Sequence, residues 1–191
     1  MTARRASRLA VIDVPVPGLV VLVGAAGAGK STLARRLFAD HEILSSDELR
    51  AAISGDPADQ RATRVAFAAL HREAASRLAA GRLVVVDATS VEPTARRSLL
   101  RIAAAAGVPA IAIVLAVASG EVHRRNAGRA GRIVPPEIVD RHLARLARLG
   151  APDALAGALV AEGFAAAHVL TSVADLDTAV VVRVGRSLSR P

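Results

Sequence analysis

The chain has 191 residues, 52% of them hydrophobic, enough to bury one sizeable core, so a single domain spanning 1–191 is expected, with the basic stretch 1–8 flexible. It has no cysteine, which excludes disulfides, thiol catalysis and zinc-thiolate sites; without a run of about eighteen apolar residues or a signal-peptide pattern, it reads as a cytoplasmic protein with no membrane partner. The formal net charge of +8 suits a polyanionic partner, although scattered solvated arginines account for it equally well, and three phenylalanines with no tryptophan or tyrosine exclude a row of stacking platforms for bases.

In chain order, residues 9–14 read as an outer strand and 19–23 as a buried parallel strand. Directly after it come Gly24, Ala25, Ala26, Gly27, Ala28, Gly29, Lys30 and Ser31, a full match to the phosphate-binding loop G-x-x-x-x-G-K-[ST], with Thr32 opening an amphipathic helix over 32–38. Lys30 is the only lysine, every other basic residue being arginine. A compact ammonium on a flexible stem reaches the β- and γ-phosphates under the loop, where a planar guanidinium is too broad. The glycines let backbone N–H groups turn toward phosphate, the helix N-terminus favours the anion, and the Ser31 hydroxyl suits Mg²⁺. The expected ligands are therefore ATP, or another nucleoside triphosphate, and Mg²⁺.

Strands and helices then alternate: a strand at 42–44, a helix from about 46, a long helix at about 58–80, a strand at 83–86 and a helix at 92–106, with Pro93 in its first turn and Gly107 closing it. A strand at 110–115, helices at about 120–126, 135–149 and 152–162, a strand at 167–170 and a second outer strand at 178–184 complete the pattern. The fold class is α/β, a P-loop NTPase with a mostly parallel central sheet flanked by helices, its ligand outside the carboxyl ends of the strands.

Ser45 and Glu48 have capping-box spacing, which starts a helix near the ligand end and puts Asp47 and Arg50 on one of its faces. A carboxylate that orients an attacking hydroxyl beside a guanidinium that holds charge is what phosphoryl transfer needs; a plain i,i+3 ion pair is the alternative. Asp87 closes an apolar run as a Walker B acid does, near the metal or its waters, or else caps a turn; Thr89 and Ser90 lie at the same end. Arg124, Arg125, Arg129 and Arg132 bracket glycines rather than forming a clean helix, which suggests a lid at about 120–149 carrying an arginine to the phosphates. Arg141, Arg145 and Arg148 read as a solvated helix face, and the five histidines, which lack metal-ligand spacing, as structural.

The loop 24–32, Ser45-Ser46-Asp47 with Arg50, Val86-Asp87-Ala88-Thr89, Arg125-Asn126 and Arg132 together resemble the kinase module of bacterial polynucleotide kinase-phosphatase, over about residues 9–183. The resemblance implies that Asp47 orients or activates the 5′-hydroxyl of a polynucleotide and that Arg50 holds the acceptor phosphate. It further implies that Lys30, Arg125 and Arg132 act on the ATP phosphates and that Ser31 ligates magnesium. Two departures stand out: Ser90 replaces an asparagine usual in the family pattern, and the chain ends where a phosphatase module would begin, so no 3′-end chemistry is expected. Three functions fit these residues: a polynucleotide 5′-hydroxyl kinase, a kinase for a small acceptor such as a nucleoside, sugar or antibiotic, and a non-catalytic ATP-dependent binding module. The Asp47–Arg50 pair favours the enzymes, because a switch needs no acid to orient a hydroxyl.

Overall fold

The computed structural model describes residues 9–54, 63–129 and 133–185. Its strands are β1 (Val11–Val16), β2 (Gly18–Val23), β3 (Ile43–Ser45), β4 (Leu83–Asp87), β5 (Ala110–Leu115), β6 (Ala166–Leu170) and β7 (Val180–Gly185). Its helices are α1 (Lys30–Leu37), α2 (Ser46–Ser54), α3 (Thr63–Ala79), α4 (Pro93–Ala105), α5 (Ser119–Ala127), α6 (Pro136–Leu149), α7 (Leu155–Glu162) and α8 (Val173–Thr178).

A five-stranded sheet, all parallel in the order β3-β4-β2-β5-β6, forms the centre of an α/β fold. The uninterrupted apolar run of β2 follows from burial on both faces, since successive side chains of a strand point to opposite sides. Val20 and Leu22 share a core layer with Leu33 of α1, Phe38 just after it and Val139 of α6, whereas Leu19, Val21 and Val23 share the other with Leu70 and Leu78 of α3, Leu99 of α4 and Leu159 of α7. Truncating any of these leucines to alanine costs about 2–5 kcal/mol, so both layers hold the carboxyl ends of β2, β3 and β4 in place. No helix among the described residues is long and apolar enough to cross a membrane.

Two sequence expectations change in detail, one element is added, and one expectation lies partly outside the described residues. The two outer strands are not edges of the main sheet: β1 and β7 pair in parallel with each other, Val11 opposite Val180, as a separate two-stranded sheet. Pro15 and Pro17 lack the N–H that a ladder requires, while Ile12 and Val14 bury against the core layer beside α1. The strand expected at 42–44 runs over Ile43–Ser45 and pairs Ser45 with Asp87, which brings the start of α2 next to the end of β4. Helix α8 has no counterpart in the expected elements; it is opened by Ser172, whose hydroxyl accepts from the Asp175 N–H at 3.0 Å. The long helix is described from Thr63 to Ala79, and its expected first residues, 58–62, lie outside the described residues.

Candidate active site

Four strand ends converge on one cleft of about 810 Å³. The loop after β2 supplies its floor, β3 leads to Asp47 and Arg50, β4 ends on Asp87, and the segment after β5 brings α5 over the loop. Of the residues singled out in the sequence, Ala26, Gly27, Gly29, Lys30, Ser31, Thr32, Asp47, Arg50, Asp87 and Arg125 line it together. Gly24, Ala25 and Ala28 form the side of the loop turned away from it, and Arg132 lies outside the described residues.

The loop geometry accounts for its glycines. Gly27 has φ +86°, and a Cβ there would stand 2.7 Å from the Val122 carbonyl and 3.0 Å from Cβ of Asn126, so α5 seats directly on the loop. Gly29, with φ +101°, caps α1, and a Cβ on it would stand 3.0 Å from Nη1 of Arg125. The Arg125 guanidinium thus lies over the point where the loop meets the helix N-terminus, and its other anchor is Glu121, one turn back.

Lys30 is buried and folds back along the loop, its Nζ donating to the carbonyls of Gly24 at 2.9 Å and Ala25 at 2.8 Å. Burial lowers its pKa to about 8, against the opposing pull of Asp87 and Asp47. Asp87 is pushed up by burial, while a hydrogen bond from the Ser31 hydroxyl and the charge of Lys30 act the other way. Ser31 and Asp87 are therefore two oxygen donors in contact beside the ammonium, a set that fits a hard cation able to keep several of its waters.

The Ser45 hydroxyl accepts from the Glu48 N–H at 3.3 Å and so starts α2, but Glu48 does not return the bond; it pairs with Arg35 at 2.9 Å. Arg50 donates from Nη1 to Oδ1 of Asp47 at 2.9 Å, with the arginine side chain 8% exposed and the aspartate 58%. A buried guanidinium thus fixes a carboxylate that is open to the cleft.

Around this set the cleft is completed by α5, α6 and the segment after β4, where the structure revises several readings of the sequence. Arg124 and Arg125 sit on a regular helix, α5, rather than in an irregular glycine-interrupted segment, and the buried Asn126 clasps Val134, with Nδ2 to the carbonyl at 2.7 Å and the Val134 N–H to Oδ1 at 3.1 Å. Arg124 faces solvent, whereas Arg129 lines the cleft. Arg145 also lines it and pairs with Glu92 across the mouth. His142 of α6 accepts a long hydrogen bond from the Ala26 N–H at 3.5 Å and is held neutral, its pKa lowered to about 4 by burial and then by the charges of Lys30, Arg145 and Arg141. Arg96, fully buried, ties the segment after β4 to α7: it donates to the carbonyls of Ser90 and Val91 at 2.9 and 2.8 Å and to both carboxylate oxygens of Glu162. Ser90 adopts φ +46°, the left-handed region in which asparagine is enriched and serine is not.

Residues 19–149 match the family model AAA_33, an AAA domain, and the chain belongs to that family. Comparison with curated proteins gave no match. Among solved structures, the chain resembles one in the Pnkp1/Rnl/Hen1 RNA repair complex, with a TM-score of 0.61 and 19% identity over 70% of this chain and 45% of that one. It also resembles Kti12 of Chaetomium thermophilum in complex with ADP-AlF3, with a TM-score of 0.58 and 18% identity over 80% of this chain and 88% of that one. A third resemblance is to a gluconokinase from Sinorhizobium meliloti 1021, with a TM-score of 0.54 and 20% identity over 85% and 86% of the two chains. Identities this low speak for the fold alone. Family, fold and phosphate loop together define a P-loop nucleotide-binding domain, and what it does with the nucleotide is a question for the rest of the site.

Proposed function

We propose that the protein moves the γ-phosphate of ATP to the 5′-hydroxyl of a polynucleotide, in the cytoplasm. The observation that carries this reading is Asp47, an exposed carboxylate held by a buried arginine, in the same cleft as Lys30 and near enough for its charge to oppose the lowering of that lysine's pKa by burial. In this reading Asp47 accepts a hydrogen bond from the attacking hydroxyl and orients its oxygen in line with the γ-phosphorus. The transition state is loose, so orientation matters more than early removal of the proton, which passes to Asp47 as the new bond forms and the bond to the ADP oxygen breaks.

Lys30 leaves its two loop carbonyls to meet the β- and γ-phosphates, and the loop N–H groups hold them from below. Arg125 lies above the same point and neutralises charge on the transferring group, with Arg132 a second contributor from the lid at about 120–149. Arg50 both fixes Asp47 and offers positive charge to the acceptor's own phosphate. Ser31 and Asp87 would hold Mg²⁺, which when bound neutralises charge on the phosphate oxygens.

The test is transfer of labelled γ-phosphate to a panel of 5′-hydroxyl oligonucleotides, nucleosides and sugars. Phosphorylated oligonucleotide is the expected product, with a KM that rises with salt as phosphate contacts release counterions. Efficient transfer to a small acceptor and none to any oligonucleotide would replace this reading by that of a small-molecule kinase. Intact ATP binding with no transfer at all would replace it by that of a nucleotide switch.

A further inference from the structure

Two of the chain's three aromatic residues, Phe38 and Phe164, are sealed in the core layers. The third, Phe67, is only half-buried and lines the cleft. It stands on α3, which packs on α2, α4, β3 and β4, so it belongs to the end of the cleft that carries Asp47 and Arg50 rather than to the end covered by α5. Its inner side rests against the core layer of Leu70 and Ala74. One turn further on, the ring of His71 lies 6.3 Å from it at a tilt of 57°, an edge contact that braces the phenyl group. Val91 and Ala95 line the same cleft and add apolar wall to it.

The half of the phenyl ring left uncovered in a cleft of charged groups is unfavourable in water, and what relieves it is a flat apolar surface laid on it. A nucleobase lays a full π-face on it and keeps its polar edge free, whereas a sugar covers it only with its narrower C–H face. We propose that Phe67 is a stacking platform for the terminal base of the acceptor, beside the hydroxyl oriented by Asp47, which makes the acceptor a nucleoside end of any base identity. This rests on the reading of Asp47 and Arg50 as the acceptor side. A single platform tolerates every base, because each has a π-face, and it agrees with a chain that lacks a row of aromatics and leaves the remaining nucleotides to phosphate contacts.

The test compares two 5′-hydroxyl oligonucleotides that differ only at the terminal nucleotide, one with its base and one abasic, on the parent, Phe67→Leu and Phe67→Trp. For the parent, the abasic end should have a KM at least about fivefold higher. Phe67→Leu should raise the KM of the normal end by a similar factor while leaving the abasic KM and the ATP KM where they were, and Phe67→Trp should keep the preference. Equal losses on both ends would mean that Phe67 only supports the fold, and no change on either would mean that the ring is idle; both overturn the platform and leave the 5′-hydroxyl reading standing. Transfer to sugars with none to either oligonucleotide overturns that reading and the platform with it. If the leucine variant does not fold, an abasic KM equal to that of the normal end in the parent is itself sufficient to reject the proposal.

Discussion

The two ends of the cleft are built on different principles. At the donor end, backbone and side chains are sterically determined: Gly27 and Gly29 leave no room for a Cβ under α5, Lys30 is buried on two loop carbonyls, and Asn126 clasps the segment behind. At the end that the proposed function gives to the acceptor, the Asp47 carboxylate is more than half exposed, Phe67 is half-buried, and the neighbouring backbone at Ser90 is held in the left-handed region by Arg96 from behind. A triphosphate is the same in every such enzyme and can be met by a rigid mould, whereas the acceptor sets specificity and is met by a few side chains on an open wall. The donor end should therefore fail completely when touched, and the acceptor end selectively.

The largest effect is expected at Lys30. Replacing it with methionine keeps the side-chain length and removes the ammonium that the proposed function places under the triphosphate, so kcat should fall on the order of 10³-fold or more with an unchanged far-UV CD spectrum. Turnover within tenfold of the parent would break the idea of a mould centred on this ammonium.

Asp47→Asn comes next and tests selectivity directly. Only the orientation of the hydroxyl and acceptance of its proton are lost, so kcat should fall about 10²-fold while the ATP dissociation constant from calorimetry stays within about twofold. A matching loss of ATP binding would move Asp47 to the donor end, among the groups that hold the metal.

The third prediction follows the buried ammonium through pH. With its pKa near 8 in the ligand-free protein, Lys30 is charged below that pH and neutral above it, and only the charged form attracts phosphate. ATP affinity should be level up to about pH 7.5 and then weaken, approaching tenfold per pH unit well above pH 8, with proton uptake on binding in that range. The sign for folding is the reverse. A lysine whose folded pKa lies below its unfolded value of 10.5 costs stability while charged, so the penalty is present below about pH 8 and disappears as pH rises toward 10.5. A titration of ATP affinity that is flat to pH 9.5 would show that burial does not depress this group.

The asymmetry also explains what could be read in the sequence. The phosphate loop was legible because its residue types are forced: positive φ and close approach demand glycine, and the space beneath the phosphates demands an ammonium. Asp47 with Arg50 was legible as an i,i+3 pair after a cap, and Asp87 as the acid ending an apolar strand. The partnership of β1 with β7 was not, since an apolar run announces a strand without naming its neighbour. Helix α8 is six residues long, too short for a periodic pattern, although Ser172 and Asp175 carry the cap signal. Phe67, His142 and Arg96 owe their positions to tertiary packing, His142 on Ala26 across 116 positions and Arg96 on Glu162 across 66, which no local pattern announces.

The smallest effect belongs to Ser90, and it sharpens the comparison most finely. Its φ of +46° puts an ordinary residue where the backbone is crowded, at a cost of about 1–2 kcal/mol for most side chains and less for asparagine, whose short amide can bond locally. The conformation is imposed from behind by Arg96, which takes the carbonyls of Ser90 and Val91 while locked to Glu162, so the serine has no freedom to relax. Ser90 is buried but lines the cleft, the one direction in which a larger amide could extend. Ser90→Asn should therefore stabilise the protein by about 0.5 kcal/mol, or roughly 1–2 °C in melting temperature, with the ATP KM unchanged. Because the change lies on the acceptor wall, any kinetic effect should fall on the acceptor KM alone. A lower melting temperature would mean that the space at this position, rather than its backbone conformation, selects the residue, and a shift in the ATP KM would mean that the two ends of the cleft are not separable at this point.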